Sequence, residues 1–359
     1  MNARFLDRLG RYRRFAPLAT TITLFCLAYA YGALAYESMR DPQVFLNLLR
    51  AAPFLLISAI GMTFVILSGG IDLSVGGVVA LTTVVSAALL RNNGTDPWLV
   101  MVIVLVMGMA FGLVMGFFIT YLKVQPFIAT LAGLWVARGL CFFISDNAIP
   151  IRNRLYEILA GTKLLIPGLS DPAAKTGDFV SIPAVFSLLF LALMMFIAHK
   201  TGFGRSVYAI GGNELSARLM GLPVNRTKMA VYTLNGLCSA LAGIALSIDV
   251  GSGHGLYASG MELTVIGAVV IGGTLLTGGV GYVFGTLFGV LIIGVIQTLI
   301  QFNGTLSSWW TPIVVGALTL VFIGVQSFLA GQGPFRRSRA ITSSATSGPS
   351  GELPEGEAP

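Results

Sequence analysis

The sequence predicts an all-α polytopic membrane protein with about ten transmembrane helices, and three observations carry the prediction. The chain has 359 residues, 55% of them hydrophobic and only 10% charged, with a mean hydropathy of +0.84. A soluble domain carries about 25% charge, so this chain could not solvate its own surface in water. Apolar runs recur along it, most of them close to the ~20 residues that a helix needs to cross a bilayer. Its net charge of +7 is placed in clusters that flank those runs. Nucleic-acid binding would need a basic stripe interleaved with aromatics on a folded surface, so that class is excluded and the clusters read as topology signals.

Residues 1–15 form a basic lead-in (Arg4, Arg8, Arg11, Arg13, Arg14). The run at 16–36 follows without a small-residue cleavage site, so it reads as a first span and not a removable leader. Further spans are expected at 44–67, 71–90, 98–122, 127–145, 182–199, 229–250, 263–276, 282–302 and 309–329, giving a transmembrane domain over 16–330. The run at 263–276 is short, and the Gly-Gly pairs around it predict a bend or break. The loop at 146–181 is rich in Pro, Gly and Asp and predicts short surface helices. The loop at 201–228 is too polar to span, yet it reads as helical around 214–220. Residues 331–359 are Ser, Gly, Pro and Glu, cannot bury a core, and are expected to be a disordered tail. With the amino end inside, inner segments hold fourteen Lys and Arg against seven outside, and Arg138 lies within a span. That bias predicts both termini in the cytoplasm of a multi-pass inner-membrane protein.

A parallel internal repeat is suggested by Ser68-Gly69-Gly70-Ile71 and Thr277-Gly278-Gly279-Val280, with Gly76 opposite Gly285. Such duplication builds two-half transport pathways. Gly108, Gly112 and Gly116, and then Gly285, Gly289 and Gly294, are spaced for close helix–helix approach. Cys26, Cys141 and Cys238 lie inside apolar runs and read as packing residues.

The sharpest local feature is Gly69-Gly70-Ile71-Asp72-Leu73-Ser74-Val75-Gly76. The glycines allow a turn at membrane depth, and Asp72 or Ser74 could cap the next helix. A carboxylate there is either such a cap or a polar group on a solute path. Thr63, Ser68, Asp72, Asn235 and Gln297 are the candidate path residues. Arg138 could tie to Asp146, Asp249 or Glu262, or touch solute. Trp309 and Trp310 read as interfacial anchors or as a gate. His199 and His254 are the two histidines, and neither has metal-ligand or triad company in sequence. No G-x-x-x-x-G-K-[ST] loop occurs, so the chain is not an ATPase of that kind and no cofactor is implied. Energy for active transport would come from a partner.

The loop at 201–228 is where a partner would dock. Gly211-Gly212 is expected to break the chain, and Asn213 or Ser216 to cap a short helix. Leu215, Leu219 and Leu222 form an apolar stripe, and Gly221 stops it. One apolar face on a short helix suits either a groove on another protein or the lipid surface. The coupling candidates are Asn213, Glu214, Ser216, Arg218, Leu219, Met220 and Gly221.

The chain resembles the permeases of monosaccharide ABC importers, the ribose, xylose and galactofuranose group. The resemblance lies in 61–66, in 68–76, in Phe127-Ile128-Ala129-Thr130-Leu131-Ala132-Gly133, in 207–213 with Met220-Gly221, and in 269–276 with Gly278-Gly279. It covers about 42–329. Within the group, Ile149-Pro150-Ile151, 285–289 and 304–310 look most like a permease of the galactofuranose-type importer. The resemblance implies the larger all-helical importer permease fold and a second, different permease subunit. It also implies a cytoplasmic ATP-binding subunit on the 214–220 helix and a periplasmic sugar-binding protein. The outer loop near 166–178 and the acidic tail depart from the pattern and leave the sugar open. The rival readings are a homodimeric ribose or xylose permease and an ion-coupled secondary transporter.

Overall fold

The computed structural model describes residues 3–91, 95–165, 178–307 and 309–331, so the tail and the middle of the 146–181 loop lie outside the described residues. The helices are α1 (Ala3–Ala35), α2 (Pro42–Ala51), α3 (Pro53–Leu67), α4 (Val75–Leu90), α5 (Pro97–Thr120), α6 (Pro126–Ile144), α7 (Arg154–Gly161), α8 (Ile182–Lys200), α9 (Gly202–Gly212), α10 (Glu214–Leu219), α11 (Val224–Val250), α12 (Met261–Ile271), α13 (Val283–Asn303) and α14 (Trp310–Gly331). Among the described residues four short strands accompany them: β1 (Ile149–Pro150), β2 (Lys163–Leu165), β3 (Phe179–Ser181) and β4 (Ser252–Gly253). They form two antiparallel pairs, β1 with β4 and β2 with β3, which the sequence did not suggest.

Every expected span contains a helix, but the lengths differ from expectation. Among the described residues six helices are long and apolar enough to cross a membrane, or seven if the bent pair α2–α3 is one span. α4, α12 and the described apolar part of α14 are shorter than a full span. The expected 44–67 helix bends by 57° between Ala51 and Pro53, where the proline has no N–H to continue the preceding ladder. α1 runs unbroken from Ala3, without a boundary at residue 15. Local chemistry sets several starts: Pro42, Pro53, Pro97 and Pro126 open their helices. Asp41 and Asp96 accept the N–H of Gln43 and Trp98, as N-caps do.

α11 is the centre. At 27 residues it is about 40 Å long, and α3, α4 and α5 pack along it. α3 is apolar all round and is buried at every position but Phe54, as such a helix must be. Gly108 and Gly112 bring α5 so close to α11 that a Cβ at either would overlap a carbonyl of Gly236 or Tyr232. α5, α6 and α8 turn large apolar side chains outward, including Trp98, Ile128, Trp135, Leu189 and Phe196. That outward apolar surface is what lipid requires and water would penalise.

Candidate functional site

Two regions gather the residues singled out from sequence: the break between α3 and α4, and the α9–α10 loop. At the break α3 ends in a Schellman turn. Gly69 takes φ +80°, the Gly70 N–H donates to the Val65 carbonyl (3.0 Å), and the Gly69 N–H donates to Ile66 (2.9 Å). The chain then stays non-helical until Val75. Asp72 is 1% exposed, and both its oxygens are bonded. Oδ1 accepts the Ser74 N–H (2.8 Å) and hydroxyl (2.6 Å), and Oδ2 accepts the Asn235 amide from α11 (2.8 Å). Neither Asp72 nor Ser74 caps an N–H within α4. Asp72 instead closes a turn one residue before it, because its side chain reaches only two residues on.

Thr63 is also fully buried; its hydroxyl donates to Ala59 or meets Thr286 of α13 at 2.7 Å. Ser68 Oγ donates to Val65 (2.8 Å). The structure therefore brings Asp72 and Asn235 together and places Thr63 and Ser68 on the same buried helix and its end. Gln297 stands apart, exposed on α13.

In the loop, α9 runs through Gly211-Gly212 instead of breaking there, and the break falls at Asn213. Asn213 Oδ1 accepts the Ser216 N–H (2.8 Å), so Asn213 is the cap and Ser216 is the capped residue. Glu214 binds Lys228 (2.5 Å) and Arg218 (3.1 Å), joining α10 to α11. These two cations hold the Glu214 carboxyl below the usual glutamate range, with the Lys228 hydrogen bond leading. Gly221 at φ +78° ends α10 with the same double turn, Leu222 N–H to Ala217 (3.1 Å) and Gly221 N–H to Arg218 (3.0 Å). Leu215, Leu219 and Met220 are left 67%, 81% and 69% exposed, while Leu222 packs inward against Ile210, Ala217 and Val224. The exposed stripe is thus Leu215, Leu219 and Met220, not Leu215, Leu219 and Leu222.

A junction that sequence reading missed joins the two regions. The Gly279 N–H donates to the Leu67 carbonyl at the end of α3 (2.9 Å). Gly211 of α9 lies against that same carbonyl and the Gly279 nitrogen, with no room for a Cβ. Tyr208 of α9 donates to the Gly281 carbonyl (2.9 Å), and Phe203 stacks on Phe64. Three Gly-Gly pairs, far apart in sequence, meet backbone to backbone. The only advance signal was their shared composition. The second member of the suggested repeat is also offset: α12 is turned by Gly273 (φ +90°), and Gly278-Gly279 lie in the connection beyond.

Arg138 makes none of the three expected ion pairs. Its Nη1 donates to the carbonyls of Gly255 and Tyr257, the latter at 2.7 Å. No group of His, Cys, Asp and Glu that could hold a metal occurs among the described residues.

Residues 44–323 match the family model described as the permease component of the branched-chain amino acid transport system. The chain belongs to this family. It is 46% identical to the inner membrane ABC transporter permease protein YjfF of Escherichia coli K12, over 92% of this chain and 97% of that one. It is 36% identical to the fructose import permease FruG of Bifidobacterium longum, over 88% of this chain and 91% of that one. It is 39% identical to the ribose import permease RbsC of Bacillus subtilis, over 80% and 85% respectively. No solved structure matches it. The permease is a multi-pass membrane transport subunit and not an enzyme.

Proposed function

We propose that this permease carries a monosaccharide across the bacterial inner membrane as one subunit of an ATP-driven importer, with both termini in the cytoplasm. The single observation behind the sugar is the likeness to fructose, ribose and xylose permeases over four-fifths or more of the chain. Galactofuranose or a galactose-like hexose is favoured by the stretches at 149–151, 285–289 and 304–310, and that resemblance also favours a heterodimer with a second permease. A periplasmic sugar-binding protein delivers the solute, and a cytoplasmic ATP-binding subunit supplies the work.

The ATP-binding subunit grips α10. The capped, salt-bridged helix presents Leu215, Leu219 and Met220 as one apolar patch, which suits a groove on a partner. Closure of the ATPase moves α10 and α9, and the permeases alternate between faces around a path at their interface. Asp72 and Asn235 stand behind that path as the polar tie of the broken helix, with Thr63 and Ser68 buried on α3 and its end. Gln297 lies at an exposed position on α13.

Leu219→Asp tests the docking helix, since a charge on the patch penalises a buried contact while leaving the spans alone. Co-purification with the cognate ATP-binding subunit is expected to fall about tenfold or more, with the thermal melt of the permease unchanged. Normal assembly and uptake would remove α10 from the interface. Assembly with the ATPase and uptake in the absence of any second permease would favour the homodimeric pentose reading. Uptake driven by an ion gradient without ATP would replace both.

A further inference from the structure

The segment between α11 and α12 does something that neither its sequence nor the family likeness announces. It re-enters the bundle as non-helical chain. Gly253 packs on α4 at the Thr83 carbonyl and Ala87, whereas Ala258 and Glu262 reach Gly76 at the other end of the same helix. From Ala87 to Gly76 is about 16 Å along the α4 axis, roughly half the ~30 Å hydrocarbon thickness. Arg138, which holds this segment by two carbonyls, sits six residues in from the Ile144 end of α6. α12 is only 11 residues long because this descent has already used the depth that a full span would fill.

Lipid-exposed irregular backbone does not occur at such depth; it must be covered by protein or face water. In the single subunit Ser259 and Gly260 are exposed, Leu256 is 60% exposed, and Ser252, His254 and Tyr257 are half-buried, so this stretch faces water or a neighbouring subunit and not lipid. Beside the exposed Leu256, Ser259 and Gly260, the half-buried side chains are polar and aromatic. The Ser252 and Tyr257 hydroxyls meet at 2.7 Å, and His254 lies between the rings of Tyr257 (5.7 Å) and Phe142 (6.5 Å). Ala258 is held at φ +53°, a strained geometry for a residue with a Cβ that persists only where surroundings enforce it. At its head, β4 pairs with β1, and β1 lines a polar hollow of about 460 Å³ with Arg91, Ser145, Asn147 and Arg152.

We infer that the re-entrant segment 252–260 lines the solute path and contacts the passing monosaccharide. Aromatic rings receive the C–H face of a sugar, and the Ser252, His254, Tyr257 and Ser259 polar atoms exchange hydrogen bonds with its hydroxyls. The contacts are few and shared with water, which suits a carrier that must release its cargo. The sugar half of this inference rests on the proposed function; the water-lined half does not.

The two halves are tested separately in the assembled transporter in proteoliposomes. Leu256→Cys and Ser259→Cys are treated with a charged, membrane-impermeant thiosulfonate, with the unmodified protein as the blank for its own cysteines. Leu189→Cys on the outward face of α8 is the lipid-facing control. Labelling of Leu256→Cys and Ser259→Cys at least about tenfold faster than Leu189→Cys is expected, as water contact demands. Labelling as slow as the control would overturn the water-lined segment, whether or not the complex transports sugar. D-Galactose, D-fructose and D-ribose are then each supplied with the binding protein and ATP. Slowing of the labelling by one of them, together with about tenfold lower uptake of that sugar by Tyr257→Leu at unchanged ATPase rate, is expected for a sugar contact. Unslowed labelling, or uptake that Tyr257→Leu leaves intact, would overturn it.

Discussion

A carboxyl group among apolar helices is tolerable only when its oxygens are bonded, and Asp72 has three donors on two oxygens. Asn235 gives it one of them across 163 residues of sequence, so the pair fastens the irregular start of α4 to α11. Hydrogen bonds between membrane helices average only about 0.6 kcal/mol, because the unfolded chain in lipid finds other partners. Bonds to a carboxylate are stronger, at about 1.5–3 kcal/mol in water-soluble hosts. A coupling of about 1–2 kcal/mol is therefore expected from the Asp72→Ala, Asn235→Ala cycle, read from unfolding of the purified permease in a mild detergent. Additive effects of the two changes would mean that the bond contributes nothing and that α4 is held by packing alone.

α10 is a helix of six residues and owes its order to its ends: Asn213 at one, the Gly221 turn at the other, and Glu214 clamped to Lys228. The depressed Glu214 carboxyl makes this element pH-dependent. Its contribution is fully present above the ordinary glutamate value of 4.5 and is lost as pH falls through the lower folded value. Glu214 is 41% exposed on its side chain, so the effect stays below about 1 kcal/mol. Hydrogen exchange of the α10 amides should be slower than in Glu214→Gln at neutral pH, and the difference should shrink as pH falls below 4.5 and vanish only below the lower folded value; a difference that persists unchanged in strong acid would discard the clamp. Much of this element was legible in sequence, because a cap, an apolar stripe and a terminating glycine are local signals. The all-helical membrane class was legible for the same reason, in apolar run length. The register of the stripe was not, since the turn at Gly221 carries Leu222 inward against Val224 and against Ile210 of α9, contacts that helical spacing alone does not give. The shortness of α12 shows in its apolar run, but its cause does not: only the contacts of 253–262 with α4 show that the depth is already occupied. Arg138 was visible as an anomaly, but its partners are backbone carbonyls, which a sequence cannot single out.

At the scale of the whole molecule, the proposed docking of an ATP-binding subunit on α10 requires a route by which its movement reaches the spans. The glycine junction gives a direct route, because α9 touches the end of α3 and the α12–α13 connection at one point, through backbone atoms. Backbone contact transmits displacement without the slack of a flexible side chain, and interiors packed this tightly shift between discrete arrangements. Gly211 and Gly212 separate this effect from mere local disruption. A Cβ at Gly211 would collide with the Leu67 carbonyl, whereas one at Gly212 meets nothing within 4 Å. Both are helical residues of α9, so alanine suits the backbone at either site. Gly211→Ala is expected to leave α10 free to bind the ATP-binding subunit and to leave ATP hydrolysis running, while sugar moved per ATP falls severalfold. Gly212→Ala should transport normally. A Gly211→Ala transporter with unchanged sugar per ATP would show that the force travels by another route, through the Glu214–Lys228 link from α10 directly into α11.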